Sequence, residues 1–218
     1  PATATATAAP TPATTATPTS TPTSRLSLSL SAFMEGGTLP GIASGGEVAI
    51  GWIYGGRAFR IRALGAVARY GDTTGRPGRT DPFIANEQVD LSLTTASLRG
   101  CVSLVRGVLD VGPCLGAQLG FVSAKANGVA GAGAGPATFA PPQTVPWLAI
   151  EAGVLGSWSM APPLALFGRV DVLASPSQGP PSFVVDDSST ADPSTKPALY
   201  SVHNFAGRVV LGLEARFF

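Results

Sequence analysis

The chain has 218 residues, enough for one domain of ordinary size once a biased N-terminal stretch is set aside. Charged residues make up only 12% of it against about 25% in a typical soluble domain, Gly and Pro together fill 47 positions, and the mean hydropathy is +0.28. That is too little charge for an ordinary wet surface; a net charge of +1 without a basic, aromatic-interleaved stripe excludes a nucleic-acid binder, and no apolar run reaches the roughly 18 residues of a transmembrane helix.

Residues 1–24 use almost only Pro, Ala, Thr and Ser, with nothing large enough to bury, and are expected to form a disordered linker ahead of a folded unit at 25–218. No charged-then-apolar leader opens the chain, which predicts a mature or truncated form of an exported protein. From Arg25 onward the apolar residues alternate with period two, in segments of about ten residues separated by Gly, Pro, Asp and Thr clusters.

Leu26, Leu28, Leu30, Ala32 and Met34 share one face of the first segment, and Ser27, Ser29 and Ser31 share the other. Val48, Ile50, Trp52 and Tyr54 then oppose Glu47, Ala49 and Gly51. After a Gly55-Gly56 turn, Phe59, Ile61 and Val67 oppose Arg60 and Arg62, a hairpin with its charges on one face. A fourth segment runs from about Val89 to Val105, with a slip in apolar parity near Ala96 that predicts a β-bulge. It turns at Gly107-Val108 and returns as Leu109, Val111, Leu115, Leu119 and Phe121 opposite Asp110, Gly112, Gly116 and Gln118. Leu148, Ile150, Ala152 and Val154 oppose Glu151. Beyond Pro162-Pro163, Leu166, Val170 and Val172 oppose Arg169 and Asp171, and Phe205, Val209, Leu211, Leu213, Ala215 and Phe217 oppose Arg208, Glu214 and Arg216.

Eight strands result; after a short first loop, tight turns near 55, 107 and 161 interleave with long loops at 72–87, 125–145 and 176–198. Short turns at one end and long loops at the other predict an all-β, eight-stranded antiparallel up-and-down transmembrane barrel. The polar face decides between a membrane and a soluble barrel. It mixes Ser, Gly and Ala with a few charges, and 12 of the 14 basic residues are Arg, whereas a soluble surface would be rich in Lys and Glu. Arg60, Arg62, Arg99, Arg169, Arg208 and Arg216 are expected to pair inside the lumen with Glu47, Glu151, Asp171 and Glu214, plugging it. With the N-terminal tail and the C-terminus periplasmic, Trp52, Tyr54, Phe59, Trp158 and Phe217 fall at one level as an aromatic girdle. The opposite belt would hold Tyr70, Phe121, Trp147 and Tyr200, with Tyr70 and Trp147 on the lumen parity unless a bulge turns them.

Through strand number, loop asymmetry and an aromatic C-terminus, residues 25–218 resemble the small OmpA/OmpX-like outer-membrane barrels, although Phe217 rather than Phe218 is in phase with the apolar face. The resemblance implies residence in the bacterial outer membrane, with outer-membrane lipids and the barrel-assembly machinery as partners, and an external loop partner that it leaves unidentified.

Counting back from the 107–108 turn sets Cys101 directly across from Cys114, and a structural disulfide is expected in an oxidising periplasm. Two Cys and the lone His could not complete a four-ligand metal site. Ser201 and His203, two apart on the last strand, resemble the pair of a barrel lipid A deacylase, but in Ser-x-His rather than His-x-Ser order and without an acid at fixed spacing. Gly131, Gly133 and Gly135 lack the flanking strand and helix of a phosphate loop, and Asp186, Asp187 and Asp192 lack the spacing of a calcium loop. The reading is therefore a non-enzymatic barrel without cofactor, structural or surface-recognising. The alternatives are a deacylase-like enzyme using Ser201 and His203, and a soluble lipocalin-like carrier of an apolar ligand.

Overall fold

The computed structural model describes residues 23–39, 41–75, 88–127, 143–176, 182–184, 198–201 and 204–217. Period-two alternation forms strands throughout: β1 (Thr23–Gly36), β2 (Ile42–Gly55), β3 (Phe59–Tyr70), β4 (Thr73–Gly75), β5 (Gln88–Arg106), β6 (Leu109–Asn127), β7 (Gln143–Ala161), β8 (Leu164–Ala174), β9 (Ser182–Val184), β10 (Ala198–Ser201) and β11 (Phe205–Phe217). β4 continues the line of β3 against β5, while β9 and β10 form a separate two-stranded ribbon between β8 and β11. The remaining strands pair as antiparallel neighbours, and β3–β5 and β1–β11 contacts close them into an eight-stranded barrel.

Closure carries a definite shear. Stepping from Leu26 through Trp52, Ala63, Gly100, Leu115, Ala152, Val172 and Gly207 returns to β1 at Gly36, ten residues from the start. A shear of ten over eight strands tilts them by about 41° and leaves a backbone cylinder about 8 Å in radius, so each residue climbs about 2.5 Å along the axis. The three tight turns and both ends of the described barrel lie at one end; the connections after β1, β3–β4, β6 and β8 lie at the other. Gly107, at φ +64, takes the left-handed conformation that a two-residue hairpin loop requires between Arg106 and Leu109.

The apolar parity points outward. Leu30, Leu98 and Leu211 are each more than 60% exposed, while Arg62, Arg99 and Glu47 are at most 2% exposed. The soluble lipocalin-like alternative requires the reverse and is overturned by this inversion. Two further expectations need correction. The ladders of β5 with β3 and β6 run without a register shift past Ala96, so there is no bulge. The parity slip has another cause, for Leu91 and Leu93 simply face inward, where they pack with Val122 and Trp147. Thr23 and Ser24, placed in the linker by composition, already pair with Gly55 and Tyr54, because a ladder accepts any residue with a free N–H and C=O. Residues 1–22 and Phe218 lie outside the described residues.

Candidate functional site

The barrel interior holds the chemistry, in layers. Near the tight-turn end Arg62 donates to Asp110, to both oxygens of Glu214 at 3.0 Å and to the Ser157 hydroxyl at 3.2 Å. Arg216 donates to Glu214 at 2.8 Å and to the hydroxyls of Ser157 and Ser159 at 2.8 and 2.9 Å. Arg60 reaches Asp110 at 3.1 Å from the rim, with its side chain 25% exposed, and so joins the network at its outer edge. Above this layer Leu64, Leu155 and Phe167 cross the bore, and the void beside them amounts to about 20 Å³, room for about one water.

A second ionic layer centres on Glu47. Arg99 donates to its two oxygens at 2.9 and 2.6 Å, in the bidentate geometry that suits a guanidinium, and to Glu151 through Nε. Arg169 spans Glu47 at 3.3 Å and Asp171 at 2.7 Å. Gly116 lies between Arg99 and Glu151 in the register, and a Cβ there would stand 2.8 Å from both side chains; only glycine leaves room for this ion pair. Higher still, Arg208 donates to Glu35 at 2.8 Å and to Gln118 at 2.6 Å and lies over the rings of Phe33 and Tyr70, while the Tyr70 hydroxyl donates to Glu35. Leu39, Leu91, Leu93, Val122 and Trp147 then form an apolar cluster at the loop end.

The six arginines of this network face six carboxylates, those of Glu35, Glu47, Asp110, Glu151, Asp171 and Glu214, so the cluster is neutral. All ten of the charges expected in the lumen lie in it. Glu35 and Asp110 complete it beyond those ten; both sit on the polar parity of their strands, the signal that could have found them. Glu35 meets Arg208 across the β1–β11 closure, a register that no hairpin turn sets. At the tight-turn end the bore widens to a mouth of about 610 Å³ edged by Arg25, Arg57, Arg60 and Arg216.

Cys101 and Cys114 are cross-strand partners joined by a disulfide, with Cα atoms 4.1 Å apart. The ladder next to it lapses between Cys101–Cys114 and Leu104–Val111, where Pro113 has no N–H to donate. Trp52, Tyr54, Phe59, Trp158 and Phe217 are all exposed, and the shear places them within about 7 Å of one another along the axis. In the opposite belt Phe121 faces out. Tyr70 and Trp147 are buried in the lumen, as their parity requires in strands without a bulge at those positions. Tyr200 and Ser201 belong to β10, not to the last barrel strand, and His203 lies outside the described residues. So do Gly131, Gly133, Gly135, Asp186, Asp187 and Asp192. Among the described residues no group of three or more His, Cys, Asp or Glu is placed to hold a metal.

No protein-family model and no curated protein sequence matches the chain. Solved structures do. A major outer membrane protein from Thermus thermophilus superposes with a TM-score of 0.59 at 17% identity, over 89% of this chain and 99% of the other. The fold is that of a small outer-membrane β-barrel. Ail, the attachment invasion locus protein of Yersinia pestis, in a complex with the heparin analogue sucrose octasulfate, shares it with a TM-score of 0.50 at 10% identity, over 89% of this chain and 97% of that one. Eight antiparallel strands closed into a barrel thus belong to a recognised architecture.

Proposed function

We propose that this protein is a non-enzymatic barrel of the bacterial outer membrane, closed along its axis, that presents its long loops to the exterior. One observation carries the reading: a neutral network of buried ion pairs, capped by an apolar cluster, fills a bore only about 8 Å in backbone radius. Ions would have to break several charge-assisted bonds to pass. An outward apolar wall with an aromatic girdle at the tight-turn end suits a lipid surround. We assign that end, with both ends of the described barrel, to the periplasmic side, because short turns are periplasmic in this architecture, and Phe217 on the apolar face to recognition by the assembly machinery. The long connections between β3 and β5, β6 and β7, and β8 and β11 are where recognition would reside.

Two measurements test this reading. A detergent-folded sample run unboiled and boiled should migrate at two mobilities, and the folded chain in a planar bilayer should conduct no more than the lipid background. Steady conductance would overturn closure; solubility in plain buffer without a mobility shift would overturn the membrane assignment. Ser201→Ala addresses the enzymatic alternative: a lipid A deacylation activity present in the parent chain and lost in the variant would replace the non-enzymatic reading.

A further inference from the structure

The outer wall of the barrel is apolar almost throughout, with one interruption. Between the girdle level and the loop-end rim, Arg69 is the only charged side chain among the described residues that points out of the barrel. It is exposed and makes no ion pair or side-chain hydrogen bond with any described residue. Ten residues separate it from Phe59 on the same strand, which at about 2.5 Å each sets it about 25 Å above the girdle. That is the height of an outer-membrane apolar band, so the guanidinium meets the opposite headgroup level.

Beside Arg69 the wall is hollowed. Ala32 pairs with Gly46, Met34 with Ser44, and Gly46 with Arg69, so three small outward residues adjoin where other parts of the wall carry Leu, Val or Ile. The result is an open groove of about 770 Å³ lined by Arg69 on one side and Leu211 on the other. A cationic group at the edge of a largely apolar trough suits a lipid with an anionic phosphate head and an acyl chain.

We infer that this groove is a docking site for one anionic, phosphate-bearing lipid of the leaflet on the long-loop side, its acyl chain over Ala32, Ser44 and Gly46 and its phosphate on Arg69. The site rests on the membrane reading above, and its test separates the two. The full chain, exchanged from detergent into nanodiscs of equal parts phosphatidylglycerol and phosphatidylcholine, is released into native mass spectrometry and its retained lipids are identified. One phosphatidylglycerol should stay bound in about fivefold preference over phosphatidylcholine, the discrimination a single basic residue provides at an anionic surface. Arg69→Gln should abolish the preference while a lipid is still retained. Gly46→Leu should lower retention of both lipids; a Cβ at Gly46 meets nothing nearer than Ser31 O at 3.7 Å, so the new side chain enters the groove without disturbing the barrel. Ser44→Leu provides a second filling variant, and the unboiled gel mobility of each reports folding. Equal retention of the two lipids by the parent chain, a preference that survives Arg69→Gln, or a second copy of the chain in place of lipid would each overturn the site. A chain that enters no nanodisc would overturn the membrane reading itself.

Discussion

Glu47 accepts from both Arg99 and Arg169 while 2% exposed, and no second carboxylate could replace it as the anion those two guanidiniums share. Its loss would leave Arg99 on Glu151 and Arg169 on Asp171 but put the buried network one charge out of balance, at a cost of about 3–5 kcal/mol. Glu47→Gln should therefore lower the free energy of unfolding in urea by about that much. Arg60→Gln, at the rim, should change it by less than about 1 kcal/mol. Equal effects would mean that the interior is wet enough to screen both. At Gly116 the constraint is spatial. A methyl would press on Arg99, Glu151 and the Leu98 carbonyl, and Gly116→Ala should cost about 1–3 kcal/mol by overpacking, read from the same unfolding curves.

At the scale of elements, β1 shows why parity matters more than hydrophobicity. Leu30 lies near mid-height of the apolar band and is 66% exposed, yet its neighbours Ser29 and Ser31 are buried and their hydroxyls donate to the carbonyls of Ala49 and Glu47. Leu30→Arg should destabilise the lipid-folded barrel by about 2–4 kcal/mol, the penalty for an arginine at the bilayer midplane; a barrel that tolerates it in lipid would not have this face in the membrane. The β5–β6 hairpin is closed twice, by the Gly107 turn and by the disulfide between residues 13 apart. A loop of that size predicts up to about 3 kcal/mol from the cross-link, but the hairpin is also held by β3 and β7. Paired Cys101→Ser and Cys114→Ser substitutions should thus lower the unfolding midpoint while leaving the boiled and unboiled mobilities distinct.

For the whole molecule, closure is the property that everything else serves. β1 meets β11 from Leu26–Phe217 to Gly36–Gly207, a seam that removes the sheet edges and, through a shear of ten, sets how wide the bore is and which charges share a layer. Because this seam begins with β1, removal of residues 1–22 should leave the heat-induced mobility shift intact; its loss would show that the tail takes part in folding. Neutrality is likewise collective. Each strand contributes one sign in excess or none, and only the closed ring brings six arginines within reach of six carboxylates.

Local order was legible in the amino-acid sequence because it is written in local terms. Period two marks the strands, Gly107-Val108 sets Cys101 against Cys114, and the scarcity of Lys together with arginines in strand-like runs gives the faces their inside and outside. What depended on contacts around the ring was not legible. Whether Leu91 and Leu93 meant a bulge or an inward apolar cluster turned on what Val122 and Trp147 presented across the bore. That Glu35 would take Arg208 turned on a seam joining residues 173 apart. A strand's alternation says only that its two faces differ; the closure register, which no single hairpin carries, decides what each inward side chain will meet.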